Sequence, residues 1–129
     1  MNGRHLLDTN VAIAILKADQ TVLDHLANDD DFLISATVAG ELFYGALNSA
    51  NVDENVLRIR SLLADAVLLS CDETTARLYG EVKTRLRQKG RPIPDNDIWI
   101  AASALQHSLV LVTRDAHFDD VEELSIVHW

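Results

Sequence analysis

Short, uninterrupted apolar runs alternate along the chain with longer segments in which apolar residues return every three or four positions. The runs are "HLL" (5–7), "FLIS" (32–35), "AVLLS" (66–70), "LVLVT" (109–113) and "SIVHW" (125–129). Each is strand-sized, and the lack of apolar–polar alternation predicts strands covered on both faces. The segments between them predict helices: "VAIAILK" with Thr9 or Asn10 as its cap, a short one over 21–28, and one capped by Thr37 that runs to about Leu47. Asp53 is placed to cap a fourth, with Val56, Ile59 and Leu63 on one side. The longest follows Asp72, carries Ala76, Tyr79, Val82 and Leu86 at helical spacing, and is stopped by Gly90 and Pro92. Asp97 opens the last, which holds Ile98, Ala101, Ala102 and Leu105. This strand–helix alternation predicts an α/β domain around a mostly parallel sheet with right-handed crossovers.

Length and composition narrow the picture only a little. A chain of 129 residues, 48% hydrophobic and 24% charged, suits one globular domain spanning 1–129, with no linker, repeat or low-complexity segment. Its single cysteine, Cys71, has no partner for an intramolecular disulfide. That suits a reducing cytoplasm, with Cys71 expected as a small buried residue. The apolar stretch 11–16 is too short for a secretory signal, and no run approaches membrane-spanning length. The formal net charge of −9 argues against non-specific nucleic-acid binding and for a basic partner or bound cations. Against this, Lys83, Arg85, Arg87, Lys89 and Arg91 crowd one segment. They form either a solvated helix face or a basic stripe that steers a polyanion.

The placement of four acids carries the candidate chemistry. Asp8 follows the first apolar run, Asp115 follows "LVLVT", Asp97 lies in the first turn of its helix, and Glu41 lies about one turn into the helix after "FLIS". In an open parallel sheet, ligand sites gather beyond the carboxyl ends of the strands, so four segments can bring these acids to one edge. Each has a plainer alternative. Asp8 can begin a turn or cap a helix, Asp97 can complement a helix N-terminus, Asp115 can serve a turn, and Glu41 can be a surface residue. Four caps need not share an edge, however, and a shared cluster repels itself unless a cation is bound. Carboxylates without Cys or His point to a hard ion, Mg2+ or Mn2+. His5, His25, His107, His117 and His128 show no paired ligand spacing and are expected at the surface or in the core.

Four motifs then carry a resemblance. "LLDTN" (6–10), "ELFYG" (41–45), "NDIWIAASAL" (96–105) and "LVTRDAHF" (111–118) resemble, in order and over nearly the whole chain, the PIN-domain family, and within it the VapC-type toxins of toxin–antitoxin pairs. The resemblance implies a single PIN-like α/β/α domain and metal-dependent endoribonuclease cleavage of structured RNA such as tRNA or rRNA. It implies water attack that leaves 5′-phosphate and 3′-hydroxyl ends, a VapB-type antitoxin partner and a homodimer. It places the catalytic, metal-binding acids at Asp8, Glu41, Asp97 and Asp115, and supporting polar groups at Thr9, Asn10 and Thr113. Asp95 is either a second layer around the metal or a helix cap. Asp119 and Asp120 are an extra carboxylate source or, as the plainer alternative, a solvated turn. Residues 83–91 lead into the Asp97 loop, where they can hold RNA phosphates.

Two other acid-bearing folds fit less well. A receiver-type phosphorylation domain needs a late lysine, and none follows Lys89. A haloacid-dehalogenase-like phosphatase needs Asp-x-Asp at the first strand, where Asn10 holds the second place. The remaining alternative is a PIN-like protein that acts through binding alone.

Overall fold

The computed structural model describes residues 4–28 and 31–129. Five short strands, β1 (His5–Leu7), β2 (Phe32–Ser35), β3 (Val67–Leu69), β4 (Val110–Val112) and β5 (Ser125–Val127), form one sheet in the order β3-β2-β1-β4-β5. Every neighbouring pair is parallel, with Leu6 opposite both Leu33 and Leu111. Six α-helices connect them: α1 (Thr9–Leu16), α2 (Gln20–Leu26), α3 (Ala36–Leu47), α4 (Val52–Asp65), α5 (Glu73–Gln88) and α6 (Asp95–Gln106). A 3-10 turn, Ala116–Asp120, precedes β5.

The chain winds outward from β1 to β3, then recrosses to β4 on the other side of β1. Right-handed crossovers therefore put α1–α4 on one face and α5–α6 on the other. The carboxyl ends of β1 and β4 flank the point where the winding reverses, which is where open α/β sheets leave a crevice. The core is continuous across the sheet. Leu6, Leu7, Leu33, Ile34, Leu111 and Val112 are fully buried, and α6 packs Ile98, Ile100 and the small residues Ala101, Ala102 and Ala104 against it.

The helix starts show where local chemistry outranks apolar spacing. Asp8, rather than Thr9 or Asn10, caps α1, and Ser35, rather than Thr37, caps α3 through a 3.2 Å bond from the Val38 amide. In both, the last extended residue after a strand already has the geometry of a cap. Asn51 precedes α4 without a side-chain cap bond, and Asp53 sits inside its first turn, where the helix dipole favours an acid. Asp72 caps α5 as expected, in a capping box with Thr75. Gly90, at φ +69°, ends α5: its amide bonds Arg87 and the next amide, of Arg91, bonds Leu86. That pattern is a Schellman motif, which needs a left-handed residue at this place. One strand departs from the expected two-sided cover. β3 lies at the sheet edge and exposes Val67 (42%) and Leu68 (53%).

Candidate active site

Asp8 ends β1 and begins α1, so its carboxylate stands at the reversal point of the sheet. Only 4% of its surface is exposed. Three groups hold it. The Thr9 amide donates to Oδ1 at 2.8 Å, the Thr113 hydroxyl donates to Oδ2 at 2.7 Å, and the Asp8 amide donates to the Val112 carbonyl at 2.9 Å. Thr113 is fully buried just past β4, and its hydroxyl also accepts the Asp115 amide at 2.9 Å. One hydroxyl thus ties the ends of two adjacent strands to two acids. The Thr9 hydroxyl donates to Glu41 Oε1 at 2.7 Å and joins α1 to α3. Asn10 Oδ1 accepts the Arg114 amide at 3.4 Å and steadies the loop that carries Asp115.

Asp97 is the third residue of α6, and Asp115 caps the 3-10 turn through a 2.9 Å bond from the His117 amide. The buried Phe118 anchors that turn. His117 is consequently folded back over the acids. Its Nδ1 lies 3.3 Å from Asp97 Oδ2 and 3.1 Å from Asp115 Oδ2. His117 lies at the surface, as expected, but within reach of two of the acids, which the two-residue offset from Asp115 in a 3-10 turn does not announce in the sequence.

Electrostatics report the crowding of the four acids. Burial, reinforced by the charges of Asp97 and Glu41, pushes Asp8 up to about 6, despite the hydrogen bonds from Thr113 and Thr9. Asp97 is also raised, first by burial and then by Asp115 and Glu41, with His117 opposing. Among the described residues, no lysine or arginine forms an ion pair with any of the four. Arg114, between Thr113 and Asp115, turns away: its guanidinium bonds Asp19 Oδ2 and the Trp129 carbonyl, each at 3.1 Å. A buried carboxylate with neighbours of like charge and no lysine or arginine partner is a place that an external cation would stabilise. The donors fit one, since ligand atoms of Asp97, Asp115 and His117 all lie within 4.8 Å of one another.

The other sequence candidates separate from this cluster. Asp95 pairs with Lys83 at 3.0 Å, and both are exposed. Asp119 and Asp120 fall in the 3-10 turn beyond Phe118, and the Asp120 carbonyl accepts from Lys89. On a helix, residues two apart point to nearly opposite sides, so Lys83 and Arg87 share one side of α5 and Arg85 and Lys89 the other. The basic segment is thus two short rows, not one stripe. Lys83 is held by Asp95 and Tyr79, and Lys89 by Glu122 at 2.9 Å. Cys71, expected to be buried, is exposed. It lines an open groove of about 770 Å³ with Thr9, Thr37, Glu41, Tyr44 and Trp99. Its loop follows the edge strand β3. Trp99 is braced in that groove by Tyr79, stacked at 4.2 Å.

Residues 5–124 match the PIN domain model. The chain is 30% identical over 130 residues to Ribonuclease VapC1 of Haemophilus influenzae (strain R2866), covering 97% of each. It is 29% identical over 129 residues to the tRNA(fMet)-specific endonuclease VapC of Shigella flexneri, covering 98% of each. Its fold superposes on the DNA-bound VapBC complex of Salmonella typhimurium with a TM-score of 0.94 and 26% identity, covering 100% of this chain and 99% of that one.

Proposed function

The chain belongs to the PIN-domain family and is of the VapC type, and we propose that it is the ribonuclease toxin of a toxin–antitoxin pair that cleaves structured RNA, such as tRNA or rRNA, with Mg2+ or Mn2+. What supports this reading is that Asp8, Glu41, Asp97 and Asp115, from four separate segments, act on one another's charge near the reversal point of the sheet, with Asp97, Asp115 and His117 close enough to share an ion.

Asp8, Asp97 and Asp115 hold the metal, and Glu41 contributes to it or orients the attacking water. A divalent cation there supplies positive charge against the phosphate and makes a bound water more acidic. The protein's part is positional. Thr113 fixes the Asp8 carboxylate and the Asp115 backbone through one hydroxyl. Thr9 does the same for Asp8 and Glu41, through its amide and its hydroxyl. Both acids are thereby oriented before substrate arrives, which lowers the reorganisation needed at reaction. Residues 1–129 act as one ribonuclease domain in the cytoplasm, as a homodimer, with a VapB-type antitoxin as partner. No helix among the described residues is long and apolar enough to cross a membrane. Cations of the 83–91 segment, Lys83, Arg85, Arg87, Lys89 and Arg91, contribute RNA phosphate contacts from two sides of α5 and its following loop.

Incubation of a mixed RNA pool with the purified protein tests the reading. Cleavage should require a divalent cation, leave 5′-phosphate ends, and fall by about 100-fold or more in Asp8→Asn. Equal cleavage by both proteins removes Asp8 and its site from the reaction, and no cleavage by either with intact RNA binding supports a role through binding alone.

A further inference from the structure

The four acids account for a hard-cation site, and the imidazole of His117, within hydrogen-bond and ion-pair distance of two of them, adds a nitrogen donor beside it. We infer that His117 is itself a metal ligand, through Nδ1, and that it biases the site toward Mn2+ over Mg2+. The inference rests on the reading of the acid cluster as a metal centre.

Geometry supports it first. Two ligands side by side on an octahedral ion, each about 2.1 Å from it, lie about 3 Å apart. His117 Nδ1 already lies 3.1 Å from Asp115 Oδ2 and 3.3 Å from Asp97 Oδ2. The ligand atoms of all three lie within 4.8 Å of one another, so an ion can reach them together without the turn being rebuilt. The backbone pins the imidazole in this position. Asp115 Oδ1 accepts the His117 amide at 2.9 Å, the Asp115 amide donates to Thr113 at 2.9 Å, and Phe118 is fully buried one residue later. The side chain of His117 is half exposed, so its placement over the acids does not follow from burial.

Chemistry gives the bias. Carboxylates and water suit Mg2+, whereas an imidazole nitrogen strengthens binding of later, softer divalent metals relative to it. Without an ion Nδ1–H can donate to these carboxylates; with one bound, the tautomer that carries its proton on Nε2 would turn the Nδ1 lone pair to the ion and complete a mixed oxygen–nitrogen set. The tightest-held biological ion is then decided by availability as well as affinity.

Pulsed electron paramagnetic resonance of the full-length protein loaded with Mn2+ tests this directly. Nitrogen coupling of a coordinated imidazole should be present in the wild type, change on 15N-histidine labelling, and disappear in His117→Asn. Titration with each metal should show the Mn2+-over-Mg2+ preference shrinking by about tenfold in that variant, with Asp95→Asn unchanged as a control for surface charge. Mn2+ bound at the acids without nitrogen coupling, or an unchanged metal preference in His117→Asn, overturns the assignment of His117 alone. Failure of the wild type to bind Mn2+, with Asp97→Asn behaving the same, overturns the metal centre as well.

Discussion

Thr113 makes two bonds with one oxygen, and both reach acids of the site. It donates to Asp8 and accepts from the Asp115 amide, in full burial. Thr113→Val keeps the shape and removes both. It should destabilise the fold by about 1–3 kcal/mol, because it leaves a buried carboxylate and an amide short of partners. Urea unfolding of the variant checks this, and Thr113→Ser should recover most of the loss. Asp8 gives a pH signature. Its carboxyl rises from 3.8 to about 6 in the folded state. Between those values the folded protein holds a proton that the unfolded chain has shed, so stability falls as pH rises through the window and levels off above it. The span corresponds to about 3 kcal/mol. In metal-free buffer, the stability difference between Asp8→Asn and wild type should widen in favour of the variant from pH 4 to pH 6.5. Added Mg2+ should raise the wild-type melting temperature at pH 7 and do little at pH 4.5. At this scale the positions of Asp8, Asp97 and Asp115 were legible because each follows a strand or lies in the first turn of a helix, and that of Glu41 because it lies inside the helix that follows β2. His117 and Cys71 were not: one reaches the site through a 3-10 turn with no periodic signature, and the other is exposed by an edge strand that looks, in sequence, like a buried one.

Between residues and the whole molecule, elements set the site by where they start and stop. α1 starts on the acid that ends β1, and α6 starts two residues before Asp97, so both helix openings face the crevice. Strand positions, helix order and the parallel sheet follow from apolar runs and periodicity. Cap identity follows at Asp72 but not at α1 and α3, where it depends on which residue remains extended after a strand. The 3-10 turn is too short to be predicted from spacing. The stop of α5 is the element-scale test. Gly90 has open space around its Cα but a φ of +69°, so Gly90→Ala is strained without being crowded. It should cost about 1 kcal/mol, read as a lowered urea midpoint, and leave the metal site intact.

Across the whole molecule, a net charge of −9 must be reconciled with an RNA substrate. On the proposed function, the acids at the crevice would take up cations, and metal loading would convert a repulsive patch into an attractive one. Residues 83–91 add local positive charge, divided between two sides of α5. Replacing Arg85, Arg87 and Lys89 together with alanine should weaken RNA binding and reduce the slope of log affinity against log salt by about one for each cation that contacts phosphate. Filter binding across a salt series in Ca2+ measures it, and an unchanged slope removes this segment from the RNA surface.

A divalent cation held among the four acids is the feature from which the proposed chemistry follows. Crystals soaked in Mn2+ and measured at the manganese absorption edge should show an anomalous peak among Asp8, Glu41, Asp97 and Asp115, absent in Asp97→Asn. A featureless map at that point, or manganese bound only elsewhere on the surface, contradicts it.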